Sequence, residues 1–98
     1  MKFIVNDNSI KINSTCYQGE IFAEFAELVE AFGDPMMGDG YKVDAEWWVK
    51  FEDGTVATIY NWKNGRSYLG EDGRDVIEIT HWHVGGESKR AVRLVEAA

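Results

Sequence analysis

The chain has 98 residues, of which 45% are hydrophobic and 13% aromatic, and its formal net charge is −7. This length fits one domain, residues 1–98, and the apolar content excludes a disordered chain. The negative charge argues against binding to DNA or RNA polymers, and no apolar run is long enough to cross a membrane. A single cysteine and the lack of a signal-peptide pattern predict a cytoplasmic protein.

The first third of the chain is predicted to form a β-hairpin and then a long amphipathic helix. Residues 3–5 and 10–12 are apolar and flank a polar turn. Residues 14 and 15 are good helix caps, and apolar residues then recur at helical spacing as far as Gly33. The exposed side of this helix is predicted to be strongly negative, because its outward residues are Glu20, Glu24, Glu27 and Glu30.

A central hairpin is predicted from residues 41–51, where apolar and polar residues alternate as they do in a strand. Asp53-Gly54 fits a two-residue turn. That turn would pair Phe51 with Val56, Val49 with Thr58 and Trp47 with Tyr60 on one face, and Trp48 with Ile59 on the other. Both faces carry aromatic residues, so the hairpin is either central in its sheet or covered by a partner or a second subunit.

Short strands at residues 68–69 and 76–80 and a closing helix at residues 88–97 complete the predicted elements. The sequence thus predicts a single small α+β domain in the order ββα-βββ-α. Its mainly antiparallel sheet would carry one long amphipathic helix and a short C-terminal helix.

The tripeptide His81-Trp82-His83 is a candidate site, because histidines at i and i+2 of a strand project from the same face. Two ligands do not make a metal site, so a structural or ligand-stacking role is favoured over a metal. Pairing Cys16 with a histidine would suit a nucleophilic enzyme, but nothing in the sequence places them together. The chain has no P-loop, nucleophile elbow or zinc-protease motif, so we expect neither catalysis nor a cofactor.

Gly85-Gly86 precedes the predicted closing helix and is a candidate anion site, with Lys89 adding a positive charge. Glu87 in the same segment opposes an anion, and a plain loop and helix cap is an equally good interpretation.

A second candidate surface interleaves aromatic rings, an amide and cations, as a nucleobase with its phosphate would require. Its residues are Tyr60, Asn61, Trp62, Lys63 and Arg66, with Tyr41 and Lys42 as an opposite wall. The alternative is that these aromatic side chains belong to the core.

These segments carry a family resemblance that covers roughly residues 32–86. It rests on Phe32-Gly33-Asp34-Pro35, Gly38-Asp39-Gly40-Tyr41-Lys42, Trp47, residues 53–63 (DGTVATIYNWK), Tyr68-Leu69-Gly70 and residues 81–86 (HWHVGG). The sequence resembles the viral anti-CBASS sponge proteins, small phage-encoded proteins that sequester the cyclic oligonucleotide signals of bacterial antiphage defence. The resemblance implies a non-catalytic homo-oligomer that acts in the cytoplasm of an infected bacterium. It assigns no binding residue.

Three functions therefore remain open. The first is a sponge for a cyclic nucleotide, which fits the nearly neutral second half of the chain with its 7 basic and 8 acidic residues. The second is a protein-interaction inhibitor, of an anti-CRISPR or DNA-mimic type, whose acidic helix binds a basic surface of a host protein. The third, a small hydrolase that uses His81 and His83, ranks last.

Overall fold

The computed structural model describes residues 1–98 as a six-stranded antiparallel sheet with three helices. The strands are β1 (Phe3–Val5), β2 (Cys16–Phe22), β3 (Met36–Met37), β4 (Ala45–Phe51), β5 (Val56–Tyr60) and β6 (His81–Gly86). The helices are α1 (Phe25–Phe32), α2 (Arg66–Leu69) and α3 (Arg90–Ala97). The predicted α+β class is confirmed. None of the helices has the length and apolar character needed to cross a bilayer.

The strand order in the sheet is β1-β4-β5-β6-β2, and the short β3 also pairs with β4. The β4–β5 hairpin is therefore central in the sheet, which explains why aromatic residues occur on both of its faces. Strand β2 forms one edge of the sheet, where its second side has no neighbouring strand.

The predicted long helix and first hairpin are wrong. Residues Cys16–Phe22 form β2, which pairs with β6, and α1 spans only eight residues. The helical spacing of apolar residues is real from Phe25 onward, but long-range pairing with β6 decides the conformation before it. Strand β1 pairs with β4, with Phe3 opposite Phe51, while residues 10–12 form no strand.

The predicted register of the central hairpin is wrong by one residue. Trp47 lies opposite Ile59, and Trp48 lies opposite Thr58. The cause is the loop, because the Phe51 N–H donates to Thr55 O and leaves three loop residues, with Gly54 at φ 91°. A shift of one residue in the pairing of two strands exchanges the faces of one strand relative to the other. Tyr60 consequently lies opposite Glu46, on the face away from Trp47.

Between β5 and β6 the predicted strands are also wrong. Residues 68–69 belong to α2, and residues 76–78 form a 3-10 turn. Strand β6 begins at His81, and the closing helix is confirmed as α3. The resulting order of elements is ββα-βββ-αβ-α rather than ββα-βββ-α.

The main core lies between one face of the sheet and helices α1 and α3. Trp47 and Trp82 are fully buried there, with ring centroids 5.4 Å apart in an edge-to-face arrangement. Each indole N–H donates to a backbone carbonyl next to an end of α1, Trp47 to Gly33 at 2.8 Å and Trp82 to Ala23 at 3.1 Å. Two of the four tryptophans thus fix α1 on the sheet, and the opposite face is left for other roles.

Candidate functional site

The opposite face of the sheet carries a continuous group of aromatic rings and lysines, which we call the aromatic–lysine cluster. Its members are linked by ring or cation contacts of 4.8–6.2 Å. They are Tyr17, Tyr41, Lys42, Tyr60, Trp62, Lys63, Tyr68 and His83. Six of the residues predicted from the sequence are therefore brought together: Tyr41, Lys42, Tyr60, Trp62, Lys63 and His83.

Trp62 is the centre of the aromatic–lysine cluster. Its ring stacks on His83 with centroids 6.2 Å apart and planes 24° apart, while 39% of the residue stays exposed. The ammonium groups of Lys42 and Lys63 lie 5.5 and 5.6 Å from the ring centroid. Neither lysine has a carboxylate within 4.0 Å, so both ammonium groups can meet an anion, although the charge of Asp39 also acts on Lys42.

The backbone holds the two lysines beside each other. The Lys63 N–H donates to the Lys42 carbonyl at 2.8 Å, and Lys63 adopts the left-handed region at φ 58°. Such a conformation is unfavourable for a residue with a side chain and is concentrated at functional sites. On the other wall, the Asp39 carboxylate accepts from the N–H groups of Tyr41 and Val43. These two hydrogen bonds lower the pKa of Asp39 and fix the loop that presents Tyr41 and Lys42.

His83 is packed between aromatic rings and tied to a carboxylate. Its ring centroid lies 4.8 Å from that of Tyr17 and 5.6 Å from that of Tyr60. His83 Nε2 is 3.1 Å from Glu20 Oε1 across the β2–β6 pair. Burial lowers the pKa of His83 and outweighs the opposite effect of Glu20. The neutral imidazole is thus favoured, as a flat surface behind Trp62.

A cleft of about 210 Å³ opens beside the cluster and shares Tyr60 and Trp62 with it. Gly85 forms part of its wall. A side chain at this position would collide with the Thr58 hydroxyl, so the wall requires glycine here. The cleft is lined by Ile12, Thr15, Cys16, Val43, Glu46, Trp48, Thr58, Tyr60, Trp62 and Gly85. Its volume is below the roughly 300–1,000 Å³ of sites for drug-sized ligands, so it suits one ring system rather than a larger molecule.

Asn61 has a structural role rather than the predicted ligand contact. The side chain is fully buried, and its oxygen accepts from the N–H groups of Asp44 and Ala45 at 2.7 and 3.1 Å. Its amide nitrogen donates to Asn64. Asn61 thereby joins the end of β5 to the start of β4.

The two glycines predicted to expose amides to an anion are placed differently by the structure. Gly85 and Gly86 are buried within β6, where both residues pair with β5 and β2. Helix α3 begins at Arg90, four residues after Gly86, so the glycines do not lie at its N-terminus. Gly86 instead allows α3 to pack closely, because an added Cβ would lie 2.5 Å from the Ala91 Cβ.

Four other predicted site residues lie outside the aromatic–lysine cluster. Trp82 is on the core face, and Arg66 forms an ion pair with Asp75. Lys89 Nζ donates to Gln18 O at 2.9 Å. His81 lies beside Phe22 at the sheet edge, with ring centroids 6.2 Å apart. No group of three or more His, Cys, Asp or Glu side chains is placed to hold a metal ion.

The acidic surface predicted for one helix is divided between two elements. Glu20 belongs to β2 and faces His83, whereas Glu27 and Glu30 border a groove of about 490 Å³ between α1 and α3. Glu96 of α3 adds a third carboxylate to this groove. Apolar residues form the rest of its lining, among them Ile21, Leu28, Phe32 and Val95.

Sequence reasoning missed several residues of this face: Tyr17, Glu46, Trp48 and Thr58. Tyr17 was assigned to a helix, and its position beside His83 depends on the β2–β6 pairing. Glu46, Trp48 and Thr58 follow from the alternation of β4 and β5 once the correct register is known. The signal in the sequence is Gly54 as the last residue of a three-residue loop, because that position takes the left-handed conformation.

Comparison with known proteins gave no match. No known protein family matches the chain, and no curated protein or solved structure is significantly similar to it.

Proposed function

We propose that this protein is a non-catalytic binding protein that sequesters a nucleotide through the aromatic–lysine cluster. The observation that carries the proposal is the exposed ring of Trp62 between two lysines that have no carboxylate partner. A ring of this kind stacks a base, and the two ammonium groups meet the phosphate. A formal net charge of −7 favours a small ligand over a nucleic-acid polymer, because a polymer backbone would be repelled by the acidic surface outside the cluster.

Binding without turnover is supported by the groups that the cluster offers. Its one imidazole, that of His83, is packed between rings, and its Nε2 lies 3.1 Å from Glu20 Oε1. Stacking is therefore its main role. Rings and ammonium groups hold a nucleotide but supply no nucleophile activated by a neighbouring base.

The resemblance to the anti-CBASS sponge proteins narrows the proposed ligand to a cyclic oligonucleotide and the setting to the cytoplasm of an infected bacterium. The same resemblance implies a homo-oligomer, and the edge strand β2 is the part of the sheet best suited to a contact between copies. Its outer side has no neighbouring strand, and Phe22 at its end is 83% exposed. We therefore place the subunit contact at β2.

Thermal unfolding of the purified protein against cyclic dinucleotides, cyclic trinucleotides and linear nucleotides tests the proposal. A ligand at a hundred times its Kd adds roughly 2.7 kcal/mol, which raises the Tm of a domain of this size by roughly 10–20 °C. We expect this shift with cyclic nucleotides, and the ligand should be recovered intact. The double variant Lys42→Ala/Lys63→Ala should lose the shift, and Lys2→Ala, which removes a charge elsewhere, should keep it. No shift with any nucleotide would refute the proposal, and conversion of the ligand would show an enzyme.

A second candidate function is supported by the groove between α1 and α3. Its carboxylates, Glu27, Glu30 and Glu96, surround an apolar floor, which is complementary to a basic amphipathic segment of a host protein. Glu27 also accepts from the Glu24 N–H at the start of α1, so changing it would weaken the helix as well. The double variant Glu30→Lys/Glu96→Lys is the cleaner test. It should abolish capture of the host partner and leave nucleotide binding intact, whereas Lys42→Ala/Lys63→Ala should do the reverse.

A further inference from the structure

The cleft beside Trp62 contains a buried hydrogen-bond donor that has no partner. Trp48 Nε1 is the one buried side-chain nitrogen or oxygen of the molecule without a hydrogen bond. Buried polar groups are nearly always paired, because an unpaired donor loses its bonds to water and gains nothing in return. By contrast, Trp47 and Trp82 both donate to backbone carbonyls. The Glu46 carboxyl is close enough to be influenced by this N–H but does not complete a hydrogen bond with it, so a ligand acceptor in the cleft is the partner that remains.

A carboxyl group lies on the same wall of the cleft. Glu46 precedes Trp48 by two residues in β4, so both side chains project from the same face of the sheet. Burial, together with the charge of Asp39, raises the pKa of Glu46, and the nearby indole N–H partly offsets this. Glu46 has no Lys, Arg or His within 4.0 Å. An ionised carboxylate in this position accepts hydrogen bonds and has two oxygens to offer.

The two groups define what a complementary ligand must present. An acceptor must face the Trp48 N–H, and one or more donors beside it must face the Glu46 oxygens. The ligand part must also be flat, because Tyr60 and Trp62 line the same cleft, whose volume of about 210 Å³ matches one ring system.

We infer that this cleft binds the guanine base of the nucleotide, with O6 accepting from Trp48 Nε1 and the N1–H and N2–H groups donating to the Glu46 carboxylate. The inference rests on the proposed function and names the base that the same site selects. Trp62 lines the cleft and also contacts both lysines, whose ammonium groups lie 5.5 and 5.6 Å from its ring centroid, so a phosphate attached to the base meets them.

The other bases satisfy the two groups less completely. Guanine places one acceptor next to two donors along a single edge, which allows the carboxylate to be bound by two parallel hydrogen bonds. Adenine, cytosine and uracil each offer one donor position beside an acceptor on that edge, so one carboxylate oxygen stays unpaired. An unpaired oxygen in a desolvated cleft opposes binding of these bases.

Calorimetric titration with cyclic di-GMP, cyclic GMP–AMP, cyclic di-AMP and cyclic di-IMP tests the inference. The first two ligands should bind with Kd values within about threefold of each other, because one guanine suffices. Cyclic di-AMP, and cyclic di-IMP without the N2 amine, should bind about tenfold or more weakly. Glu46→Gln should remove the preference for guanine over adenine, and Trp48→Phe should reduce it while retaining an aromatic ring. Val56→Ala, on the same face but outside the cleft, is the control and should leave the preference unchanged.

The ratio of the guanine and adenine affinities is the decisive readout, because a variant that merely loses stability would lower both together. Equal binding of all four ligands would overturn the guanine inference and leave the proposed function standing. Binding of none of them, with a Tm shift by another nucleotide, would also overturn it. No binding of any nucleotide would refute both.

Discussion

His83 Nε2 lies 3.1 Å from Glu20 Oε1, and this contact joins β2 to β6 directly behind the exposed ring of Trp62. The pKa of His83 is nevertheless below its ordinary value, because burial and the neighbouring His81 outweigh Glu20. The base-stacking surface is thus supported by an imidazole that is preferentially neutral.

The first prediction concerns the dependence of stability on pH. The unfolded chain takes up a proton at His83 at a higher pH than the folded chain does, so the free energy of unfolding falls as the pH drops through about 6.5. The loss is complete once the pH is below the folded-state pKa. His83→Gln should flatten this part of the profile. Denaturant unfolding of the parent protein and the variant between pH 5 and 8 gives the difference between their free energies of unfolding. A difference that does not vary over this range would contradict the lowered pKa.

The second prediction concerns Glu46, whose pKa is raised mainly by burial. A raised pKa means that the folded protein holds this proton more tightly than the unfolded chain does, so it loses stability when the pH rises through the folded-state pKa. Glu46→Gln should therefore increase the free energy of unfolding at pH 7, with little gain at pH 4. Urea unfolding at the two pH values measures this. A variant that is less stable than the parent at pH 7 would show that the carboxylate is satisfied within the protein.

The third prediction contrasts Trp62, which belongs to the proposed site, with Trp82, which the sequence also predicts as a ligand-binding residue but which lies in the core. Trp62→Ala should weaken nucleotide binding by roughly 1–3 kcal/mol, or about 5- to 150-fold in Kd, because it removes the stacking surface. It should leave the protein folded, since the residue is 39% exposed. Trp82→Ala should instead destabilise the fold by roughly 3–5 kcal/mol, because this side chain is fully buried. Titration and thermal unfolding of both variants measure the contrast, and Ile77→Ala, a truncation at an exposed apolar residue, is the control.

The fourth prediction assigns Asn61 to the fold. Asn61→Ala leaves the N–H groups of Asp44 and Ala45 without their acceptor in a buried position. The free energy of unfolding should fall by roughly 1–3 kcal/mol per unsatisfied group. Asn61→Asp, which keeps the acceptor, should recover part of the loss. Full stability of Asn61→Ala would contradict this role and favour the ligand contact expected from the sequence.

Much of the candidate site was predictable because it depends on neighbours in the sequence. Trp62 and Lys63 are adjacent, as are Tyr41 and Lys42, and each pair was identified as an aromatic ring beside a cation. What the sequence did not show is that the two pairs meet, since this depends on the hydrogen bond from Lys63 N to Lys42 O. Glu46 and Trp48 were missed because the predicted register puts Tyr60 on the face of Trp47, whereas the structure places Tyr60 opposite Glu46, on the face of Trp48.

By itself, the sequence determined the α+β class, the central hairpin and the closing helix, because alternation and helical spacing are local properties that neighbouring residues enforce. Only the tertiary structure decided that residues 16–22 form a strand, that Trp82 is core and Trp62 exposed, and that Gly85 and Gly86 lie inside the sheet. Each of these depends on pairing between segments distant in the chain. The energy of such pairing outweighs local preference, and no local pattern records it.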